Sequence, residues 1–134
     1  MATESRSAPE FDLKRLLDAC RNTLLSCTNE LVRVSAGVLD SRGRIFTSVQ
    51  VRSRNCNHCS VCAEAIAIGI ALSAGSTELI ACAALVRTED GIDVWSPCGS
   101  CRELLRDHRV GQVVVSASGS HVVTARTVDL LPWP

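Results

Sequence analysis

The stretch NCNHCSVCAEA, residues 55–65, places three cysteines, a histidine and a glutamate within eleven residues. Thiolates and imidazoles are the ligands of zinc and of iron–sulfur centres, so this density of soft donors points to a metal. Three readings compete at this stage: a structural zinc knuckle, an iron–sulfur site, and a catalytic zinc with Glu64 as proton carrier. The run C-x-x-C-x-x-C over Cys56, Cys59 and Cys62 suits a cluster, but a fourth neighbouring cysteine is missing. A structural zinc on Cys56, Cys59, Cys98 and Cys101 has acceptable spacing at both ends, yet it leaves Cys62 and Glu64 without a role.

The second cysteine motif is Pro97-Cys98-Gly99-Ser100-Cys101. It and Cys62-Ala63-Glu64 both fall at predicted helix starts. Unpaired N–H groups and the positive dipole end stabilise negative sulfur there. Two helix N-termini aimed at one point would gather Cys62, Cys98 and Cys101. Three protein ligands leave zinc a fourth position for water, the pattern of a catalytic site. Glu64 lies two residues after a ligand, near enough to exchange a proton with that water without itself ligating.

The 134 residues suit a single domain spanning 1–134, with residues 1–9 as a flexible tail. Hydrophobic residues make up 46%, enough for a core, and Lys+Arg and Asp+Glu balance at 14 each. A balanced charge argues against a nucleic-acid partner or an anionic membrane surface. Aromatics are 3%, too few for base-stacking platforms. The first ten residues carry no apolar run and no stretch is long enough to span a bilayer, so a cytoplasmic protein is expected. In a reducing compartment, paired cysteines are metal ligands more often than disulfides, and isolated Cys20, Cys27 and Cys82 read as small buried hydrophobes.

The periodicity predicts helices over 11–27, 61–74 and 98–108. Strands are predicted over 31–39, 44–51, 78–86, 110–117 and 121–125, and Asp40-Ser41-Arg42-Gly43 marks a hairpin turn between the first two. Thr88-Glu89-Asp90-Gly91 reads as a turn after the third strand. The order α-β-β-α-β-α-β-β implies an α/β fold with a five-stranded mixed sheet flanked by helices.

Those motifs carry a resemblance. C-x-E followed by P-C-x-x-C is the arrangement of zinc deaminases. From about Val32 to Pro132 the chain resembles the cytidine deaminase superfamily, in its small three-cysteine form that includes cytidine and blasticidin S deaminases. Val34 to Leu39 looks like the family's first strand, Gly43 to Phe46 its second, and Thr127 to Pro132 its closing segment. The resemblance implies a cytidine deaminase-like three-layer sandwich. It implies Zn2+ on Cys62, Cys98 and Cys101, with Glu64 as the catalytic acid–base. The N–H of Ala63 and the carbonyl of Ser96 would orient the leaving amine. A homo-oligomer, tetramer or dimer, is implied as well, with sites near subunit interfaces and a small-molecule substrate.

The departures concern the substrate. The family's Asn-x-Glu, which holds ribose hydroxyls, is matched here by Gln50-Val51-Arg52, so a carboxylate has become a cation. The family's base-packing Phe is matched by Val32. The arginine that follows Cys-Ala-Glu in cytidine deaminases is Ala65, and Arg102 is the candidate to offset the thiolate charge. Gln50, Arg52, His58 and Trp133 complete the candidate substrate contacts, with Trp133 as a lid and His58 either a contact or a solvated loop residue. Cys56 and Cys59 read as loop residues without a metal role, able to form a redox-sensitive pair. Arg42, Arg44, Arg52 and Arg54 read as a solvated face.

The expected activity is zinc-dependent hydrolysis of an exocyclic amine on a nitrogen heterocycle to a carbonyl, with release of ammonia. The heterocycle would be a cytosine-type nucleoside, base or analogue. Two alternatives stand beside it: a deaminase of free modified bases or aminotriazines, and a non-catalytic zinc-stabilised binding module.

Overall fold

The computed structural model describes residues 8–117 and 121–132. The elements run α1 (Glu10–Ser26), β1 (Val34–Asp40), β2 (Ile45–Val49), α2 (Ala63–Ser73), β3 (Leu79–Thr88), β4 (Gly91–Val94), α3 (Gly99–Asp107), β5 (Gln112–Ser116) and β6 (Val122–Arg126). The strands form one mixed sheet in the order β2-β1-β3-β5-β6, with β4 paired to β3. Among the described residues only the β3–β5 pair is parallel, through Ala81–Gln112 and Cys82–Val113.

The sheet has six strands and not the five expected. The expected turn at Thr88 to Gly91 is present, but the chain continues from it into a four-residue strand too short to read from its pattern, pairing Leu85 to Thr88 with Gly91 to Val94. The Asp90-Gly91 step is the hairpin signal, and Gly91 takes a φ of 136°, which glycine reaches without a Cβ clash. The helix bounds also tighten. Val61 and Cys62 stand outside α2, since Val61 forms an isolated antiparallel bridge with Val51 and Cys62 caps the helix.

Both faces of the sheet are covered. Along β3, Ala81, Ala83 and Leu85 face α1, where Leu16, Cys20 and Leu24 are fully buried. Cys82 on the opposite face joins Val38, Ala67, Ala71 and Leu105 beneath α2 and α3. Alternation across the pleat explains why β3 reads as an unbroken apolar run: each residue is buried on one face or the other. Each buried leucine contributes about 1.5–3 kcal/mol, so docking, more than helix propensity, holds α1 in place.

Small side chains let the helices approach closely. A Cβ on Gly37 of β1 would lie 2.8 Å from Cys20 Sγ and 3.0 Å from Leu16 Cδ1. The Ser35 hydroxyl donates to the Cys20 carbonyl in the same layer at 2.8 Å. On the other face Ala36 and Ala84 pack on Ala63, the first residue of α2.

The β1–β2 turn is fixed by Asp40. Its carboxylate accepts from the N–H groups of Arg42 and Arg44, from Arg44 Nε at 2.8 Å, and from the Ser76 hydroxyl at 2.8 Å. Burial alone would raise its pKa, but these donors outweigh it and hold the carboxyl below its usual value. At the N-terminus, Ala8 N–H donates to Gln112 Oε1, so residue 8 of the expected tail is tied to β5; residues 1–7 lie outside the described residues.

Gly37→Ala tests the close approach of α1. It should lower unfolding free energy by about 1–3 kcal/mol through overpacking, read as a lower midpoint in urea. An unchanged midpoint would mean that α1 is not pressed onto β1.

Candidate metal and active centre

Cys62 and Cys98 are the N-cap residues of α2 and α3, and Cys101 lies in the first turn of α3. Their sulfur atoms all lie within 4.8 Å of one another, and Cys62 Sγ is 3.8 Å from Cys98 Sγ. Two features place α2. Its first residue rests on the alanine floor of β1 and β3, and the Ser48 hydroxyl donates to the Ala63 carbonyl at 2.5 Å. The Val51–Val61 bridge then fixes the chain one residue before Cys62.

The second motif is held from α3. Arg102 Nε donates to the Pro97 carbonyl at 2.9 Å, and its Nη1 donates to the Leu130 carbonyl at 3.2 Å. Arg102 thus ties the residue before Cys98 to the closing 3-10 turn at Thr127–Leu130. Its hydrogen bonds go to carbonyls, so its link to the thiolates runs through the loop it holds. Ser96 is anchored beside it, its Oγ accepting from the Ser116 N–H at 3.1 Å.

The electrostatics favour a bound cation. Burial raises the Cys62 thiol above its ordinary pKa. The same desolvation, with the Glu64 charge, pushes Cys101 further up. Burial also acts on Cys98, but the Cys101 N–H, the thiols of Cys101 and Cys62 and the Ser100 N–H together outweigh it and lower its pKa. Clustered, partly buried sulfurs resist ionising together, and a divalent cation removes that penalty. The spacing agrees: zinc–sulfur bonds of about 2.3 Å in a tetrahedron set sulfurs about 3.8 Å apart. The three residues fit zinc.

Glu64 is the acid of this centre. It is only 4% exposed, and its Oε2 accepts from the Cys101 thiol at 3.5 Å. Desolvation raises its pKa, against weaker opposing hydrogen bonds. A carboxyl buried away from water holds a proton to higher pH than a surface glutamate does. Ala63 N–H opens α2, where helix N–H groups have no intrahelical acceptor, so it is available as a donor.

The other candidates divide. Gln50 Oε1 accepts from the N–H groups of Arg33 and Val34, so its oxygen braces the entry to β1. Arg52 and His58 are exposed, His58 within the 3-10 turn Asn57–Cys59. Trp133 lies outside the described residues. Cys56 and Cys59 are exposed and pair with each other, not with the cluster. Arg44 and Arg54 are in ion pairs with Asp40 and Glu30, so the arginine face is partly structural. Cys20 and Cys82 are buried neutral thiols, as expected, whereas Cys27 is half-buried. Ser48 was missed by sequence reasoning; its signal is a hydroxyl among the buried positions of a strand that runs towards the cysteine loop.

Comparison with known proteins agrees with this geometry. The family model for the cytidine and deoxycytidylate deaminase zinc-binding region matches residues 11–117. A blasticidin-S deaminase of Bacillus cereus is 32% identical over 104 residues, 74% of this chain and 74% of that protein. The cytidine deaminase of Burkholderia pseudomallei superposes with a TM-score of 0.72 at 24% identity, over 90% of this chain and 96% of that one. That of Bacillus anthracis gives 0.75 at 22% identity, over 93% and 89%. At these identities the two structures speak for the shared fold.

Metal content tests the ligand set. The purified protein should carry one zinc per chain. Cys62→Ser, Cys98→Ser and Cys101→Ser should each lose it and unfold at lower temperature, while Cys56→Ser and Cys59→Ser keep it. Retention by all three ligand variants would contradict the assignment.

Proposed function

Because the chain belongs to the cytidine and deoxycytidylate deaminase zinc-binding family, we propose that it is a hydrolytic deaminase of a cytosine-type nucleoside or analogue other than plain cytidine. The observation that carries the reaction class is the buried Glu64 carboxyl facing the three-cysteine cluster. A purely structural zinc site has no use for such an acid.

In this reading Cys62, Cys98 and Cys101 hold zinc. When bound, zinc supplies the Lewis acidity that makes water a nucleophile near neutral pH. Glu64 accepts a proton from the attacking water and delivers it to the ring nitrogen beside the amino-bearing carbon. The same carboxyl then takes the proton of the newly added hydroxyl and carries it to the amino nitrogen, which leaves as ammonia while the carbonyl forms. Ala63 N–H and the Ser96 carbonyl orient the reacting heterocycle. Arg102 keeps Cys98 in register through the Pro97 carbonyl.

The substrate proposal rests on Gln50 and Arg52. Gln50 spends its side-chain oxygen on backbone N–H groups, and Arg52 offers a cation where a ribose-binding acid would stand. A site without that acceptor gives up strong selection for the two ribose hydroxyls. Arg52 instead suits a carboxylate or another acceptor on the sugar. Arg54 does not share this role, being paired with Glu30. His58 and Trp133 remain candidate contacts. The relative that acts on blasticidin S supports this direction; free bases and aminotriazines are the second class.

The chain is taken as one deaminase domain that self-associates. Helix α2 is apolar on nearly every side, yet Ile70 and Leu72 are 40% and 44% exposed. An apolar helix face of this kind calls for a covering partner, and a second copy is the one the family reading supplies. Among the described residues no helix is long and apolar enough to cross a membrane.

Ammonia release by the zinc-loaded protein tests the function. The panel is cytidine, deoxycytidine, cytosine, blasticidin S and aminotriazines. Glu64→Gln should retain zinc and fold while losing at least about 100-fold in turnover, the scale of a general acid–base group. Cytidine as the best substrate would overturn the Arg52 argument. Equal rates for Glu64→Gln and the parent protein would overturn the enzyme reading.

A further inference from the structure

Four cysteines are exposed, and two of them, Cys62 and Cys98, belong to the metal cluster. The other two, Cys56 and Cys59, have no part in it. Cys56 caps the 3-10 turn Asn57–Cys59 and Cys59 is its last residue, in a loop closed on itself at several points. The Val51 and Val61 backbones exchange hydrogen bonds of 3.0 and 2.7 Å at its base. Ser53 N–H donates to Ser60 Oγ at 3.0 Å, and Cys56 N–H donates to Ser53 Oγ at 3.1 Å. Cys59 N–H donates to the Cys56 carbonyl at 3.1 Å. This backbone brings the two sulfurs to 2.8 Å, with the Cys59 thiol donating to Cys56 Sγ.

We propose that Cys56 and Cys59 form a reversible redox site, a dithiol that exchanges with a low-molecular-weight disulfide and closes into an intrachain disulfide beside the zinc-binding loop. The site lies outside the deaminase chemistry and does not depend on the substrate.

Three observations carry it. The pair is exposed, so a small disulfide can reach it. The sulfurs need move only about 0.8 Å to reach a bond of about 2.05 Å. The loop is already braced, so closing the bond costs little chain entropy. The two thiols are also unequal. The Cys59 thiol and the N–H groups of Cys59 and His58 stabilise a thiolate on Cys56 and lower its pKa, while donation to Cys56 raises that of Cys59. Cys56 is therefore the attacking thiolate.

The chemistry balances in two exchanges. Cys56 thiolate attacks one sulfur of R–S–S–R, forming Cys56–S–S–R and releasing one RS⁻. Cys59 gives its proton to solvent, attacks the Cys56 sulfur and releases the second RS⁻. Two protein thiols are oxidised, and one small disulfide is reduced to two thiols. The bond staples the turn that carries His58, four residues before Cys62, without using a metal ligand.

The test equilibrates the zinc-loaded full chain with reduced and oxidised glutathione at graded ratios, then alkylates, maps the cysteines by mass spectrometry and measures zinc. Cys56 and Cys59 should lose alkylation together as the ratio becomes oxidising, at constant zinc, and dithiothreitol should restore both. Cys59→Ser should trap a mixed disulfide on Cys56 roughly ten-fold faster than Cys56→Ser traps one on Cys59. The proposal fails if both thiols stay alkylatable at every ratio, or if oxidation instead takes Cys62, Cys98 or Cys101 and expels zinc. Equal trapping in the two variants overturns Cys56 as the attacking thiol.

Discussion

Three cysteine sulfurs within 4.8 Å of one another impose a condition on the whole chain. Brought together as thiolates they repel, and burial disfavours each charge, so they converge only where something compensates. The fold supplies part of this from backbone. Cys62 and Cys98 cap two helices, so unpaired N–H groups and two positive dipole ends face the sulfurs. A divalent cation supplies the rest. The small-residue layers serve this one requirement: Ala36 and Ala84 let α2 start directly on the sheet, and Gly37 lets α1 close the opposite face.

The acid of the centre follows from the same placement. With Cys62 as the cap, Glu64 is the second residue of α2, buried and turned to Cys101. One helix start thus presents a sulfur, a backbone donor at Ala63 and a carboxyl to one point. Arg102 closes the far side through the carbonyls of Pro97 and Leu130, linking the second motif to the end of the chain. The deaminase reading therefore rests on a few residues whose positions the backbone dictates, and the substrate reading rests on side chains at the rim.

Legibility in the sequence followed the same division. The cluster was readable because its residues are close in sequence within two motifs, and both motifs sit at helix starts whose signals are local. The helices and five strands were readable from periodicity, and β3 from its unbroken apolar run. β4 was not, because a four-residue strand with Asp93 at its centre has too little pattern to stand apart from a loop. Gln50 reads as a substrate contact by position, yet its oxygen goes to the backbone opposite it at the start of β1, a cross-strand contact that only the pairing reveals. Arg102 reads as an offset to the thiolate charge, whereas its donors go to the carbonyls of Pro97 and Leu130, a placement that depends on where Leu130 folds back. The pairing of Cys56 with Cys59 needed the turn between them to be seen.

The central claim is a three-sulfur zinc centre with one position left open beside Glu64. X-ray absorption at the zinc edge of the purified protein tests it most directly. The account predicts three sulfur neighbours at about 2.3 Å and one lighter atom at about 2.0 Å. Four sulfur neighbours, with Cys56 or Cys59 drawn in as the fourth ligand, would make the site a closed structural one and contradict the account.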